Sequence, residues 1–270
     1  MIIIPRRRFI LGASAGFVAP AILRRLAFAQ VGPIPGLGPG LLLAPGAPVV
    51  PIGTPTSLGT NQSSSIGNVS SLTMTTTANL LAGNLAVVGV TETTNNSITI
   101  TGVSDGTNTY TEAKSTGLYG TYTETSLWYC ANAQAVSSGA TITATFSGTA
   151  GSGTNIGAMA AAQVSGIISS PLDRTAAAST TSAATVTATT STLAKSNEIA
   201  FGYSAGLNSS VPTYSGASNF TNLSQTTDGS NTRTALDYDS VAATTAVSFA
   251  PAYSAASIRM GGVVATFKGN

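Results

Sequence analysis

Threonine sets the strongest limit on what this chain can fold into. All 41 threonines lie after residue 53, and only one of the 33 serines comes before that point. Thr, Val, Ile and Tyr suit a pleated strand, whereas Gly, Asn, Asp and Ser suit the turns between strands. Apolar and polar residues alternate at period two, as in Ser71-Leu72-Thr73-Met74-Thr75 and Thr141-Ile142-Thr143-Ala144-Thr145-Phe146. Long helical periodicity is absent. Short strands between closely spaced turn signals predict an all-β chain folded as an antiparallel, jelly-roll-like β-sandwich. With 270 residues, 43% of them hydrophobic, the chain can bury a substantial core. Leu85, Val87 and Phe146 are expected inside it.

The chain reads as three zones. Residues 1–29 place Arg6-Arg7-Arg8 before an apolar run from Phe9 to Leu23 and end in Leu26-Ala27-Phe28-Ala29. A basic start, a short apolar stretch and a small-x-small ending are the layout of a secretory leader; an anchoring segment is the alternative. Residues 30–60 hold seven prolines and seven glycines, so they should form an extended arm. The arm is apolar for a linker. Leu41, Leu42, Leu43, Val49 and Val50 are expected to lie along a surface, the chain's own or a neighbour's, as an assembly arm; a loose spacer is the alternative. Residues 61–270 form the β-sandwich region.

Charge follows the same zones. Of the eleven basic residues five precede residue 30, leaving six basic against nine acidic residues in the rest of the chain. No Lys/Arg cluster follows Arg25, which argues against nucleic acid as a partner. Charged residues are only 7% of the chain, histidine is absent, and Cys130 is the one cysteine. His-based acid–base catalysis, His/Cys metal centres and intramolecular disulfides are thereby excluded. No cofactor and no small-molecule substrate is evident, and the chain reads as non-enzymatic.

The β region contains an internal repeat. Gly83-Asn84-Leu85-Ala86-Val87-Val88-Gly89-Val90 aligns with Ser196-Asn197-Glu198-Ile199-Ala200-Phe201-Gly202-Tyr203 at an offset of 113. Thr125–Tyr129 aligns with Thr234–Tyr238, Ala144–Phe146 with Val247–Phe249, and Val164–Gly166 with Phe267–Gly269. The pseudo-repeats span 68–166 and 181–269. Two tandem sandwiches or one sandwich with pseudo-twofold halves would both satisfy this pattern. High apolar content with short strands favours the single sandwich, sharing one core. The segment from Ser169 to Thr181, with Pro171, reads as a linker or a crossover.

Few motifs carry chemistry. Gly12-Ala13-Ser14-Ala15-Gly16 spells a nucleophile elbow but lies in the leader of a chain without histidine. Gly151-Ser152-Gly153-Thr154-Asn155-Ile156-Gly157 lacks the lysine and the helix of a phosphate loop. Asp105-Gly106-Thr107-Asn108 and Asp228-Gly229-Ser230-Asn231 share the form D-G-x-N. Asp105, Asn108, Asp228 and Asn231 are weak calcium candidates, and an Asp-Gly turn between strands is the simpler reading. Asp237 and Asp239 would share one strand face. Trp128 points away from Leu127 and Tyr129; it is expected buried in a two-sided strand, with stacking on a glycan ring as the alternative. Cys130 reads as a small buried hydrophobe.

The leader Arg6-Arg7-Arg8-Phe9-Ile10-Leu11 through Ala19-Pro20-Ala21-Ile22-Leu23 resembles bacterial twin-arginine leaders, with Pro5 and Leu11 departing from that pattern. It is also similar to the first residues of many bacteriophage virion proteins. The body, with Val103-Ser104-Asp105-Gly106-Thr107-Asn108-Thr109-Tyr110 and Leu127-Trp128-Tyr129, resembles uncharacterised phage and bacterial-surface β-sandwich proteins. The resemblance implies a structural protein of a bacteriophage particle: a capsid decoration, head-fibre or tail-associated subunit. Its partners would be further copies of itself or other capsid or tail proteins, and its location the virion. The alternative is an exported module, periplasmic, secreted or on the cell surface, that adheres or binds carbohydrate.

Overall fold

The computed structural model describes residues 50–63, 68–94, 97–120, 123–149, 156–229, 231–254 and 258–270. The leader, the arm residues Leu41, Leu42, Leu43 and Val49, and residues 151–155 of the glycine loop lie outside the described residues. Val50 is described and exposed.

The described residues are all-β, in two halves. The first half runs β1 (Thr56–Ser63), β2 (Ser71–Thr75), β3 (Leu85–Thr93), β4 (Ile100–Ser104), β5 (Thr109–Ser115), β6 (Thr123–Cys130), β7 (Thr141–Phe146) and β8 (Ile156–Val164). The second runs β9 (Ile167–Thr180), β10 (Ala188–Thr189), β11 (Glu198–Leu207), β12 (Tyr214–Ala217), β13 (Thr221–Thr227), β14 (Thr232–Val241), β15 (Ser248–Phe249), β16 (Pro251–Tyr253) and β17 (Arg259–Gly269). Every paired neighbour is antiparallel.

The first half forms one sheet in the order β1-β8-β3-β6-β5-β4-β7-β2. Between β4 and β5 only Val103–Tyr110 and Ser104–Thr109 are paired, and there the sheet turns over on itself. Leu72, Met74, Ile142, Ala144 and Phe146 then pack against Ala86, Val88, Val90, Trp128, Met159 and Ala161. The two layers are then β1-β8-β3-β6-β5 and β4-β7-β2, a jelly-roll-like sandwich.

The second half repeats the plan. Its main sheet, β9-β17-β11-β14-β13, has the order of β1-β8-β3-β6-β5. The ladders β10–β15 and β12–β16 stand where β2–β7 and β7–β4 stand in the first half. The single strand β7 is thus represented by β15 and β16, broken at Ala250. Phe249, Val247, Leu193 and Ala188 cover Ala200 and Val264, while Tyr214, Tyr253 and Ile258 cover Ala235 and Met260.

The two halves pack main sheet to main sheet. Leu85, Val87, Leu127, Ala160, Ala162 and Val164 from one meet Ile199, Phe201, Tyr203, Leu236, Val263, Ala265 and Phe267 from the other. β3 and β11 are therefore buried on both faces (every residue of β11 is buried, as is all of β3 but its last), and read as continuous apolar runs. The antiparallel, jelly-roll-like sandwich expected from the sequence is present in both pseudo-repeats: each half has its own core, and a third core joins them. Substituting Val87 by Asp places an unpaired charge in that third core. The chain is expected to lose its cooperative thermal transition and its solubility, measurable by circular dichroism and centrifugation.

Three further readings change. Ser169–Thr181 is neither linker nor crossover; most of it is the fourteen-residue edge strand β9. Pro171 is tolerated because the pairing of β9 with β17 shifts register around Leu172. The halves are joined by only Ser165 and Gly166. Gly166 has φ +79°, and a Cβ on it would lie 2.3 Å from the Pro51 carbonyl oxygen. Each half also begins one strand earlier than its repeat boundary, with β1 starting inside the arm segment 30–60 and β9 before residue 181. Finally, the register shows that the first aligned block is out of step. Leu85 pairs Val164 as Ile199 pairs Phe267, and Val87 pairs Tyr129 as Phe201 pairs Tyr238. The true offset there is 114, because a slip of one residue would turn Leu85 and Val87 to the wrong face.

Candidate functional site

The residues nominated from sequence are used by the fold. The Asp105 carboxylate accepts from the backbone N–H of Thr107 (2.9 Å) and Asn108 (2.6 Å), from Asn108 Nδ2 (2.9 Å) and from the Tyr110 hydroxyl (3.2 Å). Asn108 in turn bridges to Gln134, accepting from its N–H at 2.8 Å and donating to its carbonyl at 3.1 Å. Asp228 Oδ1 accepts from the N–H of Asn231 and of Thr232, both at 3.0 Å, and Asn231 Oδ1 accepts from the Thr232 hydroxyl. These are Asx turns closing β4–β5 and β13–β14, with Gly106 and Gly229 at φ +84° and +77°. Among the described residues no group of three or more His, Cys, Asp or Glu side chains could hold a metal ion.

Trp128 is buried in the core of the first jelly roll, and its Nε1 donates to Ser126 Oγ at 2.8 Å. The stacking alternative is corrected: no ring face is offered to solvent. Cys130 is half-buried, and burial with the nearby Asp105 charge pushes its thiol above the ordinary range. It is not a thiolate nucleophile at neutral pH. Asp237 is buried and accepts from the Tyr214 hydroxyl (2.5 Å) and Asn222 Nδ2 (2.7 Å). Burial raises it to about 6 against these two donors. Asp239 is half-buried and also raised by burial.

What the alternation pattern did not reveal is a set of inward-facing acids. Glu92 and Glu124 stand directly opposite each other on β3 and β6. They continue the inner rows of Val88 and Val90 and of Ser126 and Trp128, and both are buried. Glu124 accepts from the Ile100 N–H at 2.8 Å and from the Ser115 hydroxyl. Glu92 is raised to about 8, first by burial and then by the charge of Glu124, with a hydrogen bond from Thr94 opposing the rise. Burial and the facing Glu124 therefore favour the protonated form of Glu92 at pH 7. In the second jelly roll Glu198 is buried beside Asp173. Burial and Asp173 raise it, while Thr266 and the Lys195 backbone hold it down.

Two carboxyl groups with separated pKa values are the raw material of acid–base catalysis. Access to these groups is narrow. Glu92 and Glu124 are 0% and 4% exposed. Glu198 borders a cavity of about 130 Å³, with Ile52, Asn197, Ser240, Val241 and Ala242, well below the few hundred Å³ that hold a small-molecule substrate. No protein-family model matches the chain, and no curated protein matches it.

Proposed function

We propose that this chain is a non-enzymatic structural subunit of a bacteriophage particle, as a capsid decoration, head-fibre or tail-associated protein. The observation that carries the reading is the build of the β region. Two jelly rolls share an apolar core and turn their carboxyl pairs inward, away from any substrate. Such a block is suited to bearing contacts rather than to chemistry. The jelly roll is used by viral capsid domains and by lectins alike, so fold alone favours neither. The apolar Pro/Gly-rich arm tips the choice, because an extended arm laid on a neighbour gains interface area without enlarging the folded body.

The test is the intact mass and the sedimentation of the protein from its natural source. A mass near 26.8 kDa, in material that co-purifies with particles, is the expected result. A mass lower by the first 29 residues, in particle-free material starting at Gln30, overturns it. That outcome establishes the exported surface module, favoured by the small-x-small ending before Gln30, as the function.

A further inference from the structure

At one end of the shared core the two jelly rolls do not close against each other. They leave a groove of about 480 Å³, within the range of small-ligand sites. One wall is Thr109, Thr111, Tyr129 and Cys130 of β5 and β6; the other is Ser169, Ser170, Pro171 and Leu172 of β9, with Lys268 of β17. The register shift that accommodates Pro171 is what carries Ser169 and Ser170 out of the ladder. The Tyr129 ring rests against Phe267, with centroids 5.4 Å apart, and so is held in place at the groove.

The chemistry of this lining is one-sided. Five hydroxyl-bearing residues line it, Thr109, Thr111, Tyr129, Ser169 and Ser170, with one basic residue, Lys268. Among the described residues none of these six groups has a hydrogen-bond or ion-pair partner in the protein, unlike the Asp105 and Asp228 turns nearby in sequence. Among the described residues no carboxylate lines the groove. Tyr129, Pro171 and Leu172 supply the apolar part. We infer that this groove binds an acidic sugar: hydroxyls meet hydroxyls, Lys268 meets the carboxylate, and Tyr129 with Pro171 covers the ring's apolar face. The wanted aromatic is Tyr129, one residue from the buried Trp128. The inference stands whether the chain belongs to a particle or to a cell surface.

The test is calorimetric or saturation-transfer titration of the full chain with N-acetylneuraminic acid and with glucuronic acid. N-acetylglucosamine and inorganic phosphate serve as controls. Saturable binding of at least one acidic sugar is expected, with the neutral sugar and phosphate at least tenfold weaker. Lys268→Gln should weaken the acidic sugar about tenfold and remove the preference over the neutral one. Thr111→Trp, at an exposed position, should fill the groove and abolish binding with an unchanged thermal transition. Three results overturn the inference: no saturable binding of either acidic sugar, binding indifferent to Thr111→Trp in a folded variant, or phosphate binding as tightly as the sugars.

Discussion

Raising the pH from 5 to 9 is expected to destabilise this protein, and Glu92→Gln is expected to remove much of the loss. The unfolded chain releases the Glu92 proton near the ordinary value of 4.5, whereas the folded chain keeps it to about 8. Between those values the folded state binds more protons, so stability falls as pH rises. Above about 8 the penalty is complete, because a second charge then sits buried opposite Glu124. The full shift corresponds to something on the order of 5 kcal/mol. Asp237, raised to about 6, and Glu198 contribute in the same direction, so the measurement is a difference. Urea unfolding of wild type and Glu92→Gln across this range should give similar stabilities at pH 5 and a variant more stable by several kcal/mol at pH 9. A difference that stays flat with pH would show that Glu92 does not hold its proton.

The second large effect is steric. Gly89 is the pseudo-twofold counterpart of Tyr203 at the offset of 114, and the two meet across the shared core. A Cβ on Gly89 would lie 2.3 Å from the Tyr203 ring. Tyr203 is wholly buried, and its hydroxyl donates to the Ala158 carbonyl at 3.3 Å. Gly89→Ala is expected to cost about 3 kcal/mol, at the upper end for one added methyl in a packed interior. Gly89→Ala combined with Tyr203→Leu should lose less than the sum of the single losses, with a coupling of about 1 kcal/mol or more. Additive losses in the double variant, or a Gly89→Ala protein as stable as wild type, would mean that the halves are not locked by this contact.

The same contact explains why the repeat was legible only in part. Repeat partners were recognisable in β6 and β14, β7 and β15, and β8 and β17, where residues of similar type fill similar places. In β3 and β11 they were misaligned by one, because Gly89 and Tyr203 are equivalent in position and opposite in size. Letter similarity favours one phase, while the ladder to Val164 and Phe267 enforces the other. The carboxyl pairs are not legible in the sequence for a related reason. Glu92 and Glu124 sit in the polar ends of strands whose alternation would suit a solvated face. They are buried because the sheet turns over at β4–β5 and brings a second layer above them.

Local rules were decided by the sequence itself. Period-two alternation is enough for β2 and β7, which expose one face and bury the other. The D-G-x-N turns follow from side chains that satisfy backbone N–H groups two to four residues away. The absence of histidine, and a single cysteine, close off His-based catalysis, His/Cys metal centres and intramolecular disulfides whatever the fold. Tertiary structure alone decided how many sandwiches there are, which face of β3 looks at which core, and that Ser169–Thr180 is strand. It also decided that Trp128 is inside while Tyr129 lines a groove. Each of those depends on pairing between residues far apart in the chain, and side-chain alternation carries no information about which distant strand, or which second layer, covers a given face.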